Sequence, residues 1–66
     1  MTNVEKSLYE KLKDSKIEKV NINSNGKKSN ITFDVIAENP EQNERITLEN
    51  ASYEFCRAIM EIAERN

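Results

Sequence analysis

From Phe55 onward the apolar residues return at steps of three and four: Phe55, Cys56, Ile59, Ile62 and Ala63. That spacing gathers side chains on one face of an α-helix. Glu54, Arg57, Glu61, Glu64 and Arg65 fall on the opposite face. No other stretch of the sequence carries so long a stripe, and a helix with one apolar face needs a second layer to close over it. Just before it, Ile46 and Leu48 alternate within residues 44–48. The segment 44–64 therefore reads as a short strand turning directly into a helix, with Asn50 or Ser52 as the N-cap.

At 66 residues the chain makes one small domain. A chain of this size buries only ~60% of the surface its unfolded form exposes, and such domains lean on disulfides, a metal, oligomerisation or very regular packing. Cys56 is the one cysteine and there is no histidine. An internal disulfide is ruled out, and a closed tetrahedral zinc set lacks its ligands. We expect no cofactor and no metal, and a homodimer as the reinforcement. No run approaches the ~20 apolar residues of a membrane span, and MTNVEKSLYE carries acidic residues without an apolar h-region. With an unpaired cysteine, these features point to the cytoplasm and away from a membrane partner. The abundance of Lys, Asn, Ile and Glu associates the chain with a low-GC bacterium or one of its phages.

The stripe's second layer is legible upstream. Thr2 followed by Glu5 forms a capping box for a helix over residues 3–14, with Val4, Leu8 and Leu12 as a thin apolar stripe and Tyr9 on its flank. Asn25-Gly26 lies between two β-prone runs and predicts a hairpin with a type I′ turn. With those two residues at the tip, Val20 faces Ile31, Ile22 faces Ser29, Glu18 faces Phe33 and Ile17 faces Asp34. Val20, Ile22, Ile31, Phe33 and Val35 then share one face. Pro40 and its polar neighbours break the strand, and a third strand pairs Val35 with Ile46 and Phe33 with Leu48. The expected fold is α+β, ordered α-β-β-β-α: a three-stranded antiparallel meander with both helices packed on one face, burying Val4, Leu8, Leu12, Phe55, Ile59 and Ile62. The other face would show Lys19, Asn21, Asn30, Thr32, Asp34, Arg45 and Thr47, with Ile36 and Ile17 as an apolar centre. The outer strands leave unpaired edges, and an edge or an overhanging helix is the expected dimer contact.

Function is less legible. Residues 1–28 hold seven Lys against Asp14 and three Glu, a balance of +3, while residues 29–66 hold three Arg against Asp34 and seven Glu, a balance of −5. Such asymmetry is either ordinary solvated surface or the mark of a charged partner. Lys27 and Lys28 in the hairpin, with Lys19, are candidate anion or nucleic-acid contacts, and otherwise a soluble loop tip. Ile36, Arg45 and Tyr53 are candidate interface anchors. Cys56 lacks a histidine base and sits on the apolar stripe, where a small buried thiol is the plain reading. Glu54, Glu61 and Glu64 alternate with Arg57 and Arg65, as on an ion-paired helix face. The sole glycine, Gly26, belongs to the turn and leaves none for a nucleotide loop.

The element order and length resemble the double-stranded-RNA-binding domain. The resemblance spans nearly the whole chain and implies contacts through the first helix, the loop Ser24-Asn25-Gly26-Lys27-Lys28-Ser29 and the start of the last helix. The loop lacks the family's Gly-Pro-x-His pattern. Asn50-Ala51-Ser52-Tyr53-Glu54 stands where the family places its lysine cluster. These readings give a non-enzymatic, protein-binding or inhibitory module, homodimeric and phage-like in composition, whose Glu-rich second half imitates nucleic-acid phosphates. The alternative is a nucleic-acid or phosphorylated-ligand binder acting through Lys19, Lys27 and Lys28.

Overall fold

Strands β1 (Lys16–Asn25), β2 (Lys28–Ile36) and β3 (Glu44–Ala51) form an antiparallel meander in that order, between helices α1 (Asn3–Leu12) and α2 (Tyr53–Glu64). A single turn of 3₁₀ helix at Pro40–Gln42 joins β2 to β3. The structure, a computed structural model, describes residues 1–65 and, at Asn25, the backbone alone. The helices pack against the sheet, giving the α-β-β-β-α fold that the hydrophobic pattern implies.

Phe33, Phe55, Ile17, Ile31, Ile59 and Ile62 are fully buried. Burying a side chain of this kind is worth roughly 1.5–3 kcal/mol. Three of the six come from α2 and none from α1, whose only buried apolar residue is Leu12. α2 is therefore the element that closes the core, lying over β1 and β2, and α1 leans on it through Leu8, Tyr9 and Leu12. Both N-caps form: Thr2 closes the capping box with Glu5, and Ser52 accepts from Phe55 N–H.

The hairpin differs from the expected one. Its two-residue turn is Gly26-Lys27, with Asn25 paired to Lys28. Gly26 sits at φ +68° while Lys27 stays at negative φ. A type I′ turn at Asn25-Gly26 would need positive φ at both central residues. Moving the turn by one residue leaves only the glycine in that region, as a type II′ turn requires. Ile22 consequently pairs with Ile31, and Ser24 with Ser29. In the second ladder Phe33 faces Ile46 and Ile31 faces Leu48, two residues from the expected pairing. A two-residue shift keeps the same faces inward.

Ile17 is the larger correction. It is 1% exposed in the core, not on the outer face beside Ile36. Lys19 and Val20 together oppose Phe33, a β-bulge with Lys19 at φ +55°. The extra residue reverses the in-out alternation, so Ile17 joins Ile22 on the inner face. β3 contains a matching irregularity. Glu49 and Asn50 oppose Asn30, Asn50 sits at φ +56°, and its N–H donates to Asn30 Oδ1 at 3.1 Å. That bulge turns Ala51 inward to 1% exposure and carries β3 three residues past Leu48.

Helix α1 stops at Leu12, two residues short of the expected end, and Val4 is 66% exposed. The inward position on that turn belongs to Glu5, at 3% exposure.

Candidate functional site

Ser24, Ser29 and Ala51 align in one row across the sheet. α2 starts immediately after Ala51, beside the hairpin's tip end. The strands run on past the helix, and the inner face of β1 near the tip is left uncovered. The result is a groove of about 470 Å³ between the hairpin and α2. Ile22, Ser24 and Ser29 form its floor, and Tyr53, Met60 and Glu64 stand along the helical wall. Cys56 lies at its base, 4% exposed. Tyr53 is 73% exposed and Met60 is also exposed, so the mouth presents an aromatic ring and a thioether instead of packing them on the sheet. Arg57 Nε lies 3.5 Å from Glu61 Oε1 on the same wall. Glu64 makes no ion pair among the described residues.

Chemically the groove offers contact area and charge. Burial pushes the Cys56 thiol above its usual pKa, and the nearby Glu5 carboxylate adds to this. A thiol held protonated is a poor nucleophile at neutral pH. Among the described residues no cluster of three His, Cys, Asp or Glu side chains has the geometry to hold a metal ion.

Glu5 fixes the groove's helical wall to the rest of the fold. Its Oε1 accepts from Thr2 N–H at 2.8 Å and from the Ser52 hydroxyl at 3.0 Å, and its Oε2 accepts from Ser52 N–H at 2.8 Å. One carboxylate thus caps both helices. Burial alone raises its pKa, but the hydrogen bonds from Ser52 and Thr2 outweigh burial and leave it below the usual value.

The other sheet face carries a smaller depression of about 340 Å³ lined by Lys19, Asn21, Asn23, Asn30, Thr32 and Arg45. Arg45 Nε donates to Asp34 Oδ1 at 2.9 Å. This hydrogen bond holds the Asp34 carboxyl below its usual range, with a smaller effect from the charge of Lys19. The Thr32 and Thr47 hydroxyls lie 3.2 Å apart. The cations on this face are already balanced in part by Asp34.

The expected site residues do not converge. Lys19 lies in the outer depression, while Lys27 and Lys28 occupy the hairpin tip, six or more residues along β1, or about 20 Å at ~3.3 Å per residue. Arg45 and the half-buried Ile36 belong to the outer face, whereas Tyr53 stands in the groove on the opposite side. Sequence reasoning passed over Met60, because it lies between the stripe and the charged face. It also passed over Ile22 as groove floor, because nothing local reveals that the hairpin outruns the helix. Glu5 was visible as a cap for α1, but its bond to Ser52 spans 47 residues.

The likeness to the double-stranded-RNA-binding domain rests on element order, with exposed Tyr53 and Glu54 where that family has lysines. No protein-family model matches the sequence, and neither curated proteins nor solved structures give a match.

Proposed function

We propose that this chain is a non-catalytic module that works by docking onto another polypeptide through the groove between α2 and the hairpin. The observation that carries the reading is the exposure of Tyr53, at 73%, and of Met60 beside a groove whose floor holds Ile22 between small serines. Tyrosine and methionine are enriched in interface cores because they bring contact area at modest entropic cost, and an unpacked aromatic at the mouth of a groove is more than scattered surface apolarity. The buried, protonated Cys56 leaves the groove without an activated nucleophile. In keeping with the Lys-, Asn-, Ile- and Glu-rich composition, the module is inhibitory and phage-like, its unpaired carboxylates competing for a cationic surface.

Photo-crosslinking tests this reading. A benzoylphenylalanine at position 53 should give a covalent adduct in the native cell that Met60→Ala weakens. The same probe at position 47, on the outer face, should give none. Equal crosslinking from both positions would overturn the assignment.

A further inference from the structure

We propose that α1 is a latch. It releases as a unit, on a hinge at residues 13–15, from a body of β1, β2, β3 and α2 that stays folded, and the Glu5 carboxylate is the catch that holds it closed.

The body carries its own core. All six fully buried side chains belong to it: Ile17 from β1, Ile31 and Phe33 from β2, and Phe55, Ile59 and Ile62 from α2. The buried Ala51 and Cys56 are its own as well. α1 adds Leu12 and the partly buried Leu8 and Tyr9, and it packs more on α2 than on any strand. Val4 on its first turn faces solvent. A segment with so few buried apolar contacts is the kind that opens at a lower free energy than the whole fold.

The two ends of α1 are held differently. At its C-terminal end Leu12 is an apolar anchor, Ser15 N–H closes a turn onto the Leu12 carbonyl at 2.9 Å, and β1 begins at Lys16. At its N-terminal end the inward position holds a carboxylate. Glu5 accepts from Ser52 N–H at 2.8 Å and from the Ser52 hydroxyl at 3.0 Å, tying this end to the start of α2. The Met1 ammonium, 3.6 Å from Glu54 Oε2, adds a partly exposed pair that solvent screens. A polar catch is reversible, because water replaces its hydrogen bonds when it opens. The body meanwhile keeps its own cap: Ser52 Oγ accepts from Phe55 N–H at 3.2 Å, a bond that does not involve Glu5.

α1 has ten residues. A helix that short does not hold in water without a surface to pack on. Undocking therefore melts it. The amides of residues 6–13, from Lys6 N–H on the Thr2 carbonyl to Lys13 N–H on the Tyr9 carbonyl, then report the latch directly.

The test is native-state hydrogen exchange on the full chain, followed by NMR at several low urea concentrations. In the wild type, residues 6–13 should share one opening free energy and one shallow urea dependence. Their protection should be at least about tenfold below that of the central strand β2. Glu5→Gln should lower the protection of residues 6–13 by at least a further factor of about ten, with the sheet still folded. Val4→Ala, on the same turn but exposed, should change it by less than about threefold. Equal protection and equal urea dependence in α1 and β2 would overturn the latch. So would protection graded residue by residue from the start of α1, which is fraying. A Glu5→Gln chain without a folded sheet would show that the body does not stand without the catch, and would overturn the proposal too. Unchanged protection in Glu5→Gln, or an equal loss in Val4→Ala, would remove Glu5 as the catch and overturn it equally.

Discussion

Glu5 is 3% exposed and still sits below its ordinary pKa of 4.5, because three hydrogen-bond donors converge on its carboxylate. A folded-state pKa below the unfolded one means that the fold favours the ionised form. The stabilisation is complete above the unfolded value and disappears as pH falls through the folded one. Glu5→Gln should therefore cost about 2 kcal/mol at pH 7, the scale of a charge-assisted hydrogen-bond set left incompletely satisfied. The gap from wild type should close below about pH 4.5. Urea unfolding at two pH values measures both, and a gap that stays constant would show that Glu5 acts only by filling space. Cys56 gives a second prediction at this scale. With its thiol pushed up by burial, alkylation by iodoacetamide should be slow and should follow unfolding. Fast labelling of the native chain would mean an open, ionised thiol.

At the scale of elements, the two bulges decide what faces the core. An unbroken β1 would put Ile17 outside with Ile36, where simple alternation places it. The bulge at Lys19 brings it to 1% exposure. Ile17→Ala should accordingly cost about 2–4 kcal/mol, as buried aliphatic truncations do. Ile36→Ala should cost under about 1 kcal/mol, as surface changes do. Lys19→Val should cost about 1–2 kcal/mol, because a β-branched side chain tolerates the left-handed region poorly, while Lys19→Gly should be neutral or better. Equal costs at positions 17 and 36 would place the bulge elsewhere. The same elements show where reading a sequence succeeds. α2, its stripe and the capping box of α1 follow from local spacing and were legible, and the cap of α2 was narrowed to Asn50 or Ser52, of which Ser52 serves. So were the meander and the outward Asn21, Thr32, Asp34 and Arg45. The turn position and both bulges were not, because each is settled by the fit between strands across the whole ladder: Gly26 takes the one turn position that needs positive φ, and Asn30 supplies the bond that holds the second bulge.

The whole molecule is elongated, 37 × 20 × 19 Å, because the β1–β2 hairpin extends past the helix layer. That overhang makes the groove, and it is a property of relative lengths, so no single motif announces it. Tyr53 stood out in the sequence as an amphipathic aromatic, and Met60 follows it at i+7 on the same side of α2, but Ile22, which shares the groove with both, is remote in the chain. Backbone amide shifts of the ¹⁵N-labelled chain, recorded with and without an extract of its native cell, test the docking groove most directly. Shifts or line broadening are expected at Ile22, Ser24, Ser29 and Tyr53–Glu64, with Asn21, Thr32 and Thr47 unmoved. Shifts centred on the outer face or along the strand edges, or none at any amount of extract, would contradict it.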